Sequence, residues 1–324
     1  MKRRGITVVL GAALVALLTW QALSMDVAYV AMGPGPTQDV LTSTIDDNDV
    51  EHQIITAEVG YETTGELRLT TVRVKSRVTL AQALRYWMSN DQAVVPRNLI
   101  YPPDQTQEEI TAEQEADWVE SQSNAEQAAL GYLGEPAELL VTGDSQGLRT
   151  DDHLLTVDDT AVTGLEQLED YADSETTVTV ERDGEEETVE DVLLSDVELE
   201  QTRRDPYGIE IDTEALDIGG PSAGLIFAIG IVDRVTEEDL VAGHEIAGTG
   251  EIDPEGNVGP IGGIQQKIAA SDQEGVDLFL APAANCSDAV TVAPDDMTIV
   301  RVETLADAVR ALESFAAGGD VQTC

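Results

Sequence analysis

Gly219-Gly220-Pro221-Ser222-Ala223-Gly224 runs directly into the apolar stretch Leu225–Val232. Gly-Gly-Pro cannot lie inside a helix, so the residues predict a helix starting at or near Ser222. Positions 222, 225, 226 and 229 share one helical face, and Ser222 heads that inward stripe. A serine so placed suits acyl transfer. Small neighbours let a substrate backbone approach, and N–H groups at a helix start can hold an oxyanion. The same position suits a plain N-cap serine, and this segment alone does not choose between the two.

A second segment supplies a partner for that serine. Ala247-Gly248-Thr249-Gly250-Glu251-Ile252 leads through the turn Asp253–Asn257 to Val258-Gly259-Pro260-Ile261-Gly262-Gly263, which opens a helix expected over Ile264–Gln273. Ile264, Lys267, Ile268 and Ser271 fall along one face of it. An amine on that apolar side loses hydration and its pKa falls. A lysine that carries its amine out to water is the alternative. Lysine is rare here, occurring only as Lys2, Lys75 and Lys267, with arginine elsewhere. Arginine is never deprotonated in a protein, whereas a buried lysine can be. The histidines, His52, His153 and His244, lie far apart and lack zinc-site spacing. A Ser-His-Asp arrangement through His244 stays open on sequence, because triads assemble in space. His244 is otherwise expected on a strand beside the site.

These segments closely resemble the proteolytic domain of Lon proteases. The matching residues are Gly219 to Gly224, then Gly248-Thr249-Gly250-Glu251-Ile252, then Pro260-Ile261-Gly262-Gly263-Ile264-Gln265-Gln266-Lys267. Ala281-Pro282-Ala283-Ala284-Asn285 resembles the family's strand-ending Pro-x-x-Asn. The likeness covers roughly 205–315, with its motifs in order. It implies Ser222 as nucleophile, Lys267 as general base, and Thr249 as a neighbour that hydrogen-bonds near Lys267. It also implies that no metal or organic cofactor is needed, and that copies assemble into a homo-oligomer, a hexamer by family habit.

The elements around this site read as several units. Lys2-Arg3-Arg4 precedes an uncharged, mostly apolar stretch from Gly5 to Met25, long enough to span a bilayer as a helix. Positive charge before it and acidic chain after it place the N-terminus inside and the bulk outside. A cleaved signal peptide, with Ala22-Leu23-Ser24 as its small-residue site, is the alternative. Residues 1–25 are therefore expected as a transmembrane anchor, giving a single-pass cell-membrane protein with an extracytoplasmic catalytic domain. Residues 26–128 follow as a β-rich membrane-proximal region with no constellation of chemical interest. From 129 to 200 short strands and turns resemble a bacterial PDZ domain, with Gly131-Tyr132-Leu133-Gly134 where that family has its carboxylate-binding loop. Such a groove would add a peptide as an extra strand. Residues 201–317 make the Lon-type domain and 318–324 a tail. The class expected overall is α+β.

The 324 residues include 63 acidic and 17 basic ones, a formal net charge of −46. Such a surface repels nucleic-acid phosphates and anionic lipid, so no nucleic-acid partner is expected; adaptation to unusual surroundings accounts for it. Cys286 and Cys324, both in the portion read as exported, are expected to pair. No Gly-x-x-x-x-Gly-Lys-[Ser/Thr] loop occurs. Anchor, PDZ-like module and Lon-like domain together resemble the membrane-anchored PDZ–Lon-like proteases of bacteria. That likeness implies an ATP-independent serine endopeptidase acting on exported or membrane-associated polypeptides. A catalytically silent PDZ scaffold that only binds is the rival reading.

Overall fold

The computed structural model describes residues 2–45, 50–89, 91–102, 105–172, 174–213, 215–216 and 218–324; Met1 of the expected anchor lies outside them. Helix α1 (Lys2–Leu23) contains the 18-residue apolar stretch Ile6–Leu23, long and apolar enough to cross a membrane. The chain continues through β1 (Asp26–Val27), β2 (Tyr29–Asp39), β3 (Glu66–Lys75), β4 (Val78–Thr79), α2 (Leu80–Trp87), β5 (Ala93–Pro96) and α3 (Gln107–Leu133). A middle group follows: β6 (Ala137–Val141), β7 (His153–Val157), β8 (Glu175–Arg182), β9 (Glu185–Leu193) and β10 (Leu199–Arg203). The last third comprises α4 (Gly224–Val235), β11 (Glu245–Gly248), β12 (Glu251–Ile252), β13 (Val258–Gly259), α5 (Ile264–Glu274), β14 (Leu278–Pro282), β15 (Thr298–Val302) and α6 (Leu305–Ala316).

One mixed sheet organises most of this chain, in the order β15-β14-β11-β3-β2-β5. The pairs β15–β14, β14–β11 and β11–β3 are parallel, and β2 runs antiparallel to both its neighbours. Leu278-Phe279-Leu280-Ala281-Pro282 shows why the parallel part is covered on both sides. Alternate residues point to opposite faces, and here both sets are buried. Leu278 and Leu280 join a core with α3, α4 and α6, whereas Phe279 and Ala281 join one with Ile264 and Ile268 of α5. Helix α4 is apolar all round from Gly224 to Val232, and Leu225–Ile229 are buried without exception. It lies sandwiched between the sheet and α3, where Trp118 meets Phe227 edge-on.

Residues 26–128 are thus not a region apart from 201–317: β2 and β3 are central strands of the same sheet, and α3 covers α4. The chain is a mixed α/β structure: its main sheet has four strands paired in parallel and two paired antiparallel, with helices on both faces, rather than segregated strands and helices. The reason is register. Leu67 and Leu69 of β3 pair beside Ile246 and Gly248 of β11 and bury the same side chains into the core.

Residues 137–203 form a second sheet, β9-β8-β7-β6-β10, around a separate core of Leu139, Val141, Leu154, Val178, Val180 and Val192 among others. Asp183 and Gly184, both at positive φ, make the two-residue turn of the β8–β9 hairpin. Asp152 is buried against Arg182, whose Nε and Nη2 reach the two carboxylate oxygens at 2.7 and 2.5 Å. Gly131–Leu133, expected as a loop, instead form the last turn of α3, with Gly134 as its left-handed C-cap. The helix runs on because Ala125, Ala128, Ala129 and Leu130 still pack into the main core. Cys286 and Cys324 are disulfide-bonded, and the tail they secure pairs with β15 through Cys324 N–H to the Ile299 carbonyl.

Candidate active site

Two turns bring the site together at the carboxyl end of β11, the place where parallel strands commonly present ligands. Gly220 takes φ 89°, in the left-handed region, and Pro221 follows it into a short 3-10 turn, Pro221–Ala223, that leads into α4. Ser222 therefore sits in the turn before α4 rather than on its first residue. Helix α3 holds this turn from behind: Gly220 N–H donates to the Gln114 carbonyl, and Ser121 Oγ donates to the Pro221 carbonyl at 3.0 Å. On the other side Gly250 N–H and Thr249 Oγ1 both donate to the Ser222 carbonyl, at 3.0 and 2.9 Å.

Lys267 arrives from the opposite face of the sheet. Helix α5 opens at Gly263, where φ is 72° and an added Cβ would stand 2.7 Å from Val72 of β3. That close approach lets α5 lie on β2 and β3 with Ile264 and Ile268 inward, and Lys267 shares their side. Its Nζ lies 2.7 Å from Ser222 Oγ and 2.8 Å from Thr249 Oγ1.

Only 2% of Lys267 is exposed. Burial strips water from the ammonium form and brings the pKa down to about 7, with the negative Glu251 nearby opposing the drop. Glu251 is itself held above the usual carboxylate range, first by burial and then by Asp117, while Lys267 pulls the other way. Near neutrality the amine thus has a large uncharged fraction, able to accept a proton from Ser222. A hydrogen-bond relay supports it: the amine donates to Thr249 Oγ1, and that hydroxyl donates onward to the Ser222 carbonyl.

The dyad opens onto a cleft of about 710 Å³, lined in part by Met32, Thr70, Val72, Gly219 and Ser222. Strands β2 and β3 thus build one wall, and α3 adds Gln114 and Trp118. Nothing in 26–128 suggested chemistry, because these residues contribute backbone and packing. The spacing of Trp118, Ser121, Ala125 and Ala128 on α3 is the signal that marks its inward stripe.

The histidines are elsewhere. His52 pairs with Asp212 at 2.7 Å, His153 with Glu138 at 2.9 Å, and His244 lies just before β11 against Asp277 and Phe315. His244 is at the amino end of the strand whose carboxyl end carries Thr249, so it takes no part with Ser222.

Residues 196–313 match the Lon protease (S16) C-terminal proteolytic domain. Lon protease 2 of Syntrophobacter fumaroxidans is 30% identical over 119 residues, covering 36% of this chain and 15% of that protein. Lon protease of Campylobacter concisus is 35% identical over 112 residues, 33% of this chain and 14% of that one. The peroxisomal Lon protease homolog 2 of Caenorhabditis elegans is 32% identical over 107 residues, again 14% of its length. The likeness to these relatives thus lies in about a seventh of each. The matched residues 196–313 hold both turns that meet at Ser222 and Lys267, and in them the chain is similar to the proteolytic domain of the Lon (S16) serine-type proteases.

Proposed function

We propose that the chain is a serine endopeptidase that works through a Ser222–Lys267 dyad without ATP. The observation that carries this reading is the buried amine of Lys267, 2.7 Å from Ser222 Oγ and uncharged in large part near pH 7. Neutral Lys267 takes the Ser222 hydroxyl proton as Oγ attacks the scissile carbonyl carbon. Main-chain N–H groups around Ser222 hold the resulting oxyanion. The Lys267 ammonium then protonates the leaving amine, the C–N bond breaks, and an ester to Ser222 is left. Water attacks that ester while Lys267 accepts its proton. Return of the proton to Ser222 Oγ frees the acid product.

The reading of ATP independence is supported by the glycine-rich turns of these 324 residues, which hold no Gly-x-x-x-x-Gly-Lys-[Ser/Thr] loop. The stretch 129–200 is read as a PDZ-like module that selects polypeptide substrates, supported by the separate sheet and core of residues 137–203. Helix α1 is read as a membrane span that leaves the catalytic domain extracytoplasmic, and the protomers as subunits of a homo-oligomer, a hexamer.

Casein hydrolysis by the purified protein tests the reading, with Ser222→Ala alongside and with ATP present or absent. Wild type should cleave equally in both conditions and the variant not at all. A fluorophosphonate probe should label wild type at Ser222. A folded wild-type protein that neither cleaves nor takes the label would be a binding scaffold instead.

A further inference from the structure

Beyond Lys2-Arg3-Arg4, a chain of net charge −46 has a second stretch of the opposite sign. Between Val72 and Pro102 stand Arg73, Lys75, Arg77, Arg85 and Arg97 against a single acidic residue, Asp91. All five cations are exposed, and none forms an ion pair with a described residue. Elsewhere Arg68, Arg182, Arg204, Arg301 and Arg310 are each paired with carboxylates, while Arg203 and Arg234 donate to main-chain carbonyls and Arg149 stands singly without an ion pair to a described residue. Two of the five lie over aromatic rings instead: Lys75 over Tyr86 and Arg97 over Tyr101.

The same stretch exposes apolar side chains. Trp87 and Met88, at the end of α2, are 78% and 88% exposed, and Leu84 precedes them by one turn. Beside them lies a groove of about 320 Å³ formed by Val27, Tyr29, Leu80, Leu84, Trp87 and Val94. A surface this acidic has no evident use for an exposed Trp-Met pair in the same stretch as five cations without ion pairs to described residues.

Its place in the fold says what the pair faces. Strand β1 begins three residues after α1 and pairs with β4, and Leu80 N–H donates to the Met25 carbonyl at 2.9 Å. Helix α2 is therefore stapled to the exit of α1, whose Trp20 and Met25 are also exposed. Tryptophan and tyrosine favour the headgroup level of a bilayer, and arginine and lysine beside them favour an anionic one.

We infer that the surface made by β4, α2 and β5 rests on an anionic lipid headgroup layer, with Trp87 and Met88 inserted at its apolar boundary. The inference rests on the reading of α1 as a membrane span. It reverses, for this one face, the repulsion from anionic lipid that the whole-chain charge implies. The acidic remainder is pushed from the surface while the patch is drawn to it, so the protein takes one orientation. Arg73, Val74, Ile100 and Tyr101 border both the patch and the cleft of Ser222. The cleft then opens beside the bilayer, within reach of polypeptide segments that emerge from it.

Bromine-quenching of tryptophan tests this in the full chain, reconstituted in vesicles of phosphatidylcholine alone or mixed with phosphatidylglycerol, brominated near the headgroup. The chain has three tryptophans, and Trp118 is buried, a constant background. Trp20→Phe leaves Trp87 as the responsive reporter, and Trp87→Phe leaves Trp20. Both reporters should lose emission in phosphatidylglycerol vesicles. Trp87 should recover in phosphatidylcholine alone, in raised salt, and in a Lys75→Gln, Arg77→Gln, Arg85→Gln variant, while Trp20 stays quenched throughout. Trp20 quenched and Trp87 never quenched would overturn the inference and leave the span standing. Trp20 unquenched would overturn the span, and the inference with it. Shielding of Trp87 that follows protein concentration and ignores lipid composition would assign the patch to a second copy of the chain and overturn the inference as well.

Discussion

Asn285 grips the main chain of Ile261 with both ends of its amide: Oδ1 accepts from Ile261 N–H at 2.9 Å, and Nδ2 donates to the Ile261 carbonyl at 3.0 Å. The clamp lies two residues before Gly263, where α5 begins, so it fixes the direction from which Lys267 enters the site. Asn285→Ala should lower kcat/KM by about 10- to 100-fold, the scale of an ångström's misplacement, while the protein stays folded. Steady-state peptide hydrolysis with a circular-dichroism melt separates that outcome from simple unfolding.

Thr249 links the Lys267 amine to the main-chain carbonyl of Ser222, accepting from the one and donating to the other. Valine has nearly its shape but neither accepts from Lys267 nor donates to the Ser222 carbonyl, so each keeps only its other partner, Ser222 Oγ and Gly250 N–H, and two hydrogen bonds worth about 0.5–1.5 kcal/mol each are lost. Thr249→Val should therefore reduce kcat. Losing an acceptor also disfavours the ammonium form of Lys267, so the acid limb of the pH–rate profile should move to lower pH. Thr249→Ser should restore both. A profile unchanged in Thr249→Val would reduce the hydroxyl to a packing group.

The parts of the site legible in the sequence were those whose residue types are constrained by backbone geometry. Gly-Gly-Pro before Ser222 and Gly262-Gly263 before α5 announce turns that only glycine and proline make readily, and the apolar runs beyond them announce the helices. Lys267 stood out because arginine replaces lysine nearly everywhere else. The cysteine pair was legible from number alone, and Cys286 and Cys324 are joined. What sequence patterns concealed was long-range pairing. Nothing local in Gly65–Val74 says that it lies beside Glu245–Gly248, some 180 residues later in the chain. Strand partners are chosen by tertiary packing, so a region expected to stand alone turned out to be the middle of the catalytic sheet. Gly131–Leu133 misled for the same reason: a loop-like composition was overridden by the core contacts of α3.

Asp152 and Arg182 hold the second sheet together from inside, where Arg182 also donates to the Gly147 carbonyl. Removing the carboxylate takes two charge-assisted hydrogen bonds from the guanidinium and leaves it Glu187 and the Gly147 carbonyl. Asp152→Ala should lower the melting temperature of the 137–203 unit or leave it open to proteolysis. Small chromogenic peptides, which need only the Ser222 cleft, should still be cleaved. Limited proteolysis with mass spectrometry reads the first effect and peptide kinetics the second.

Lys267→Arg is the most discriminating substitution. Wild-type Lys267 has a pKa near 7 in its buried position. With its uncharged form as the base of the proposed mechanism, kcat/KM should climb as pH rises through about 7 and level off above it. Glu251 raises that pKa by its negative charge, so Glu251→Gln should shift the climb toward acid. Arginine keeps the charge and most of the length of lysine but never becomes a base at these pH values. Lys267→Arg should thus fold and lose nearly all hydrolysis at every pH, and labelling of Ser222 by a fluorophosphonate should fall with it. If Lys267 were only a structural cation, arginine would serve in its place as it does through most of this chain. A Lys267→Arg enzyme that keeps its activity and its pH profile would therefore remove the dyad mechanism.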